Sequence, residues 1–180
     1  MKHKNTSAFS TKKLTVCAML AALGVVMLYL GAFIEVLDIS MAVIASFVCI
    51  IAVIEYGGSA PWLIYAVVSI LSLILLPNKT PAAFFVLFFG FYPILKEKCE
   101  RLKRGLAWIL KEIIFNISLF VIVILGVFVL GMENNVLLQQ PVMLAVIVVL
   151  SELVFVLYDI ALTRLISFYI IKLRHRLKFK

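Results

Sequence analysis

Six apolar runs separated by short polar breaks make up most of the chain, covering residues 14–34, 41–56, 61–76, 82–95, 106–130 and 141–171. Crossing a hydrocarbon core takes about 20 apolar residues in a helix. The pattern therefore predicts an all-α integral membrane protein, a six-transmembrane-helix bundle forming a single domain over residues 1–180. The polar stretch Glu35 to Ser40 separates the first two runs, and Tyr56-Gly57-Gly58 closes the second. Pro61 suits the first turn of the third helix, which Pro77 and Asn78 stop. Runs two and four hold about 14–16 residues, or roughly 21–24 Å at 1.5 Å per residue. They are expected either to tilt inside the bundle or to be extended by their flanking turns. The first run exceeds the roughly 7–15 residues of a signal-peptide core and lacks a small-residue cleavage site, so it is expected to remain as the first helix.

Basic residues orient this bundle. Lys2, Lys4, Lys12 and Lys13 precede the first run, and Lys96, Lys98, Arg101, Lys103 and Arg104 lie between the fourth and fifth. Lys172, Arg174, Arg176, Lys178 and Lys180 follow the sixth. With six spans all three groups share one side, which the positive-inside rule makes cytoplasmic, placing both termini inside a cell membrane. The opposite connections carry Glu35, Asp38 and Glu133 against Lys79 alone.

Composition narrows the chemistry. The chain is 65% hydrophobic and 14% charged, with a mean hydropathy of +1.19. Soluble domains have about 45–50% apolar and about 25% charged residues, so an ordinary soluble enzyme is excluded. The formal charge of +8 is explained by topology, and no nucleic-acid partner is implied. His3 and His175 both lie in charged tails, leaving no buried histidine for a metal site or triad. Cys17, Cys49 and Cys99 have no metal-binding or disulfide spacing and read as two apolar packers and one surface thiol. Neither a phosphate-binding loop nor a hydrolase or metalloprotease string occurs.

Ala18, Ala21 and Ala22 lie in the first helix, with Ala18-x-x-x-Ala22 on one face. Small residues four apart let a second helix approach closely, either within the bundle or from a partner. Together with the length, the six spans and the strings Thr11-Lys12-Lys13-Leu14 and Ala18-Met19-Leu20-Ala21-Ala22-Leu23-Gly24, this pair resembles the S component of energy-coupling factor transporters. The resemblance implies a subunit that captures a vitamin or other small nutrient from outside. It would then dock through Ala18, Ala21 and Ala22 on a membrane coupling subunit driven by two ATPase subunits. ATP would be used by those partners, with no cofactor bound by this chain. Cobalt and nickel members carry histidine directly after the initiating methionine, whereas Lys2 precedes His3 here, which argues against a metal substrate.

For such a subunit the substrate is expected at the outer helix ends. The candidates are Tyr29, Glu35 and Asp38, then Ser72, Asn78 and Lys79, then Phe84 and Phe85, and finally Glu133, Asn135 and Gln139. Aromatic walls with a few polar orienting groups are typical of small-molecule sites. Deeper in the bundle, Asn116 and Glu152 lie near mid-membrane, where an ionisable group costs about 2.5–3.5 kcal/mol and needs a partner. Asp159 follows Glu152 by seven residues on nearly the same face, a rise of about 10 Å, too far for the two to share a proton. No catalytic pair is visible, so an enzyme is not expected. The alternative is a multi-spanning scaffold of the cell-envelope or rod-shape type, which has no transport substrate.

Overall fold

The computed structural model describes residues 11–129 and 141–173, and every regular element among them is helical. Helix α1 spans Thr11–Phe33 and α2 Asp38–Glu55, joined by a short 3-10 turn at Glu35–Leu37; α3 spans Ala60–Leu75. Helix α4, Thr80–Phe84, runs into a π-turn at Phe85–Phe89 and is followed by α5, Tyr92–Cys99. Helix α6 covers Arg104–Val129, and α7 covers Pro141–Phe168 with a terminal π-turn at Tyr169–Leu173. Four stretches, Thr11–Phe33, Asp38–Glu55, Arg104–Gly126 and Ala145–Lys172, are long and apolar enough to cross a membrane, and Ala60–Leu75 is a shorter apolar helix. The second run gains length from its flanking turn, since α2 begins at Asp38.

The chain forms two compact units, Met1–Lys111 and Glu112–Lys180. In the first, α1 packs on α2 and α3 through Cys17, Ala21, Gly24, Val25, Leu28, Gly31 and Ala32, which recur every three or four residues on one face. The matching face of α2 is built from small residues, among them Ala42, Ala45, Ser46, Cys49 and Ala52. Short side chains on both helices allow close approach and dense dispersion contact, the main source of association in lipid. At Gly31 the contact is so close that a Cβ would lie 2.8 Å from Met41 Cβ. Helix α2 ends where Gly57 and Gly58 adopt φ of +56° and +59°. This left-handed geometry suits residues without a Cβ, and the Gly57 N–H donates back to the Ala52 carbonyl at 3.1 Å.

The fourth apolar run is not the continuous helix over 82–95 that its hydropathy predicts. Pro93 has no N–H to donate to the Phe89 carbonyl and its ring crowds that group, so helix stops before it and restarts at Tyr92. The chain absorbs the break in the π-turn, in which the Gly90 N–H donates to Phe85 O at 2.7 Å. That five-residue step frees the carbonyl of Val86, which accepts the Tyr65 hydroxyl at 2.8 Å. Phe85, Phe88 and Tyr92 are buried around it. A helix break in an apolar unit is thus satisfied by a side chain from α3, as backbone polar groups in lipid must be.

In the second unit, helix α7 and the Glu112–Val129 part of α6 meet through Phe115 and Phe155, whose rings stack with centroids 4.5 Å apart. Leu162 and Tyr158 are also buried there. All three cysteines are buried, including Cys99 at 7% exposure, which corrects the expectation of a surface thiol. Cys99 lies in the last turn of α5, whose inward face carries Lys96 with it.

Candidate functional site

The turns at one end of the first unit bring together several of the expected residues. Asp38, 7% exposed, sits in the first turn of α2, where a carboxylate meets the positive end of the helix dipole. Asn78 Nδ2 donates to Asp38 Oδ2 at 3.2 Å, and Asn78 Oδ1 accepts the Thr80 N–H at 3.0 Å. One side chain therefore ties the start of α2 to the start of α4. Lys79 turns the other way: its ammonium donates to the carbonyls of Leu73, at 2.8 Å, and Leu76. These are groups that the end of α3 leaves unpaired, and a cation there also complements the dipole.

The other candidates divide by environment. Ser72 is fully buried and donates to its own helix at Ser69 O, 3.1 Å away. Phe85 is fully buried and Phe84 half-buried, whereas Tyr29 is 41% exposed and lies edge-on to Phe33 at 5.1 Å. Glu35 falls in the 3-10 turn between α1 and α2. Glu133, Asn135 and Gln139 lie outside the described residues. The structure thus joins Asp38 and Asn78 directly and commits Ser72 and Lys79 to helix backbone.

On α1, Ala21 packs inward at 4% exposure, while Ala18 and Ala22 lie on the exposed face beside Leu14, Met19 and Val26. Within the first unit the small residues that serve internal packing are Ala21, Gly24 and Gly31; the Ala18 and Ala22 pair is turned away from that core.

In the second unit the expected partnership of Asn116 and Glu152 is present. Asn116 Nδ2 donates to Glu152 Oε1 at 2.9 Å and also to the Glu112 carbonyl one turn back, at 3.1 Å. Sequence reasoning missed Glu112, whose carboxyl group lies in electrostatic contact with that of Glu152. Two carboxylates so placed repel, whereas one shared proton converts repulsion into attraction. The available signal was spacing, since Glu112 and Asn116 stand four apart on one helical face. Asp159, seven residues beyond Glu152, is buried.

Two further charges escaped notice. Lys96, placed by its sequence neighbours in a solvated basic loop, is 1% exposed in α5, and Lys111 is 5% exposed in α6. Both ammonium groups converge on Glu100 Oε1, at 3.1 Å and 3.3 Å. Burial of a lysine demands such a partner because the uncompensated charge is costly. The Lys96 and Glu100 spacing of four was the legible half of this arrangement. Among the described residues, no group of three or more histidine, cysteine or carboxylate side chains could hold a metal ion. No protein-family model, no curated protein and no solved structure matches the chain.

Proposed function

We propose that the chain is the substrate-capture subunit of an energy-coupling-factor importer, resident in the cell membrane with six spans and both termini cytoplasmic. It binds a vitamin or related small nutrient from outside, and it docks on a coupling subunit whose two ATPase partners consume ATP. The observation that carries this reading is the exposure of Ala18 and Ala22 on α1 while the other small residues of that helix are spent on the core. A close-approach face left open suits a second helix arriving from outside the chain. The Asp38–Asn78 pair marks the outer end where substrate enters, between the turns that would close over it.

A scaffold role without substrate is the competing reading. It is favoured by one observation: Ser72 and Lys79, two of the expected ligand groups, are already bonded to helix backbone. The two readings separate in one experiment. Purified protein is screened by thermal shift against vitamins, their precursors, amino acids and nucleobases without ATP, and uptake is measured in cells carrying Ala18→Trp or Ala22→Trp. The capture reading expects a stabilising ligand, wild-type binding by both variants, and loss of uptake. Absence of any stabilising nutrient supports the scaffold, and loss of binding in both folded variants removes the docking role of the alanine face.

A further inference from the structure

The basic end of the first unit carries an arrangement that nutrient capture does not use. Lys98 lies over the Trp62 ring at 5.6 Å from its centroid, which fixes an ammonium group at the level of an indole 37% exposed. Lys103 and Arg104 are exposed in the adjoining turn, and Arg104 opens α6. The next residue is Gly105, where a Cβ would meet nothing within 4 Å. The first N–H groups of a helix have no partner within it and attract anions, and here no side chain at Gly105 covers them. Trp108, one turn further along, is 39% exposed. Partly exposed tryptophans mark the headgroup level of a bilayer, and bases beside them are drawn to anionic lipid.

We infer that Trp62, Lys98, Lys103, Arg104 and the open first turn of α6 form a binding site for the phosphate of an anionic phospholipid headgroup. The indole rings set the depth, the three bases supply charge complementarity, and the backbone N–H groups at Gly105 supply direct donors. The inference rests on insertion of the apolar helices in a membrane and is independent of whether the chain captures a nutrient.

The test uses the full chain in mixed micelles and the quenching of its tryptophan fluorescence by dibrominated lipids. Trp62 and Trp108 are the two tryptophans, so Trp108→Phe isolates the reporter at the site. Dibrominated phosphatidylglycerol is expected to quench Trp62 at a several-fold lower mole fraction than dibrominated phosphatidylcholine. Each base near a membrane surface contributes up to about fivefold, so the combined Lys98→Gln, Lys103→Gln, Arg104→Gln variant should abolish the preference, and Lys98→Arg should keep it. Raising the salt should weaken the preference. Equal quenching by the two lipids overturns the proposal, as does a preference that survives the triple substitution. Loss of the preference on adding inorganic phosphate at constant ionic strength also overturns it, since that result indicates a small-anion site.

Discussion

Gly90→Ala tests the packing around the broken fourth helix. Gly90 has φ −74° and ψ −44°, ordinary right-handed geometry, so the backbone gives no reason for glycine there. On an open helix alanine would be favoured by about 1 kcal/mol. Here its methyl would lie 2.7 Å from Tyr65 Cδ2 and 2.8 Å from both Phe85 Cε1 and the Phe85 carbonyl oxygen. That carbonyl accepts the Gly90 N–H within the π-turn, and the Tyr65 ring is tethered through its hydroxyl to Val86 O. Neither neighbour can retreat without loss of a hydrogen bond. Overpacking costs about 1–3 kcal/mol, and a side-chain hydrogen bond in a membrane protein contributes about 0.6–1.7 kcal/mol. Less the helix-propensity gain, the expected net destabilisation is about 1–3 kcal/mol. Reversible unfolding in mixed micelles with increasing dodecyl sulfate fraction measures this for Gly90→Ala, Tyr65→Phe and the double variant. Tyr65→Phe alone should cost about 1 kcal/mol, and the double variant should cost less than the sum, because an untethered ring can swing away from the methyl. A Gly90→Ala protein more stable than the parent would refute the close contact. Strict additivity would refute the tether.

Two further substitutions probe other joints by the same unfolding assay. Asn116→Leu removes the donor to Glu152 Oε1 and should cost about 1 kcal/mol in the second unit; unchanged stability would mean that the amide is not a structural tie. Gly57→Ala places a Cβ at φ +56° and should cost about 1–2 kcal/mol, with Gly57→Asn costing less, and equal penalties for the two would indicate that the left-handed turn is not retained.

Much of the helical layout was legible because hydropathy and chain breakers act locally. Pro61, Pro77 and the Gly57-Gly58 pair mark real ends, since each removes a donor or favours a backbone geometry that ends a helix. The fourth run misled because its composition stays apolar straight through Gly90 and Pro93, and the π-turn depends on Tyr65, far away in sequence. Charge sorting was likewise only half informative. It grouped Lys96 with its basic neighbours, although the inward face of α5 carries it into the interior, where Glu100 meets it together with Lys111. Of the candidate site, the pairing of Asn116 with Glu152 could be read from depth alone, because an ionisable group in an apolar helix needs a partner. The Asp38–Asn78 bond joins two turns 40 residues apart, and no local pattern announces it.

The π-turn at Phe85–Phe89 also constrains how this chain can vary in length. A π-turn holds one residue more than the α-turn it replaces, so the segment accommodates a one-residue insertion that stays where it arose. Deleting a single residue there would restore regular helix locally, yet it would rotate everything downstream by about 100°. Lys96 and Cys99 would then leave the interior together, and Glu100 would no longer meet Lys96. The extra residue sets the rotational phase of α5, and the chain can lose it only if the inward face of that helix is rewritten at the same time.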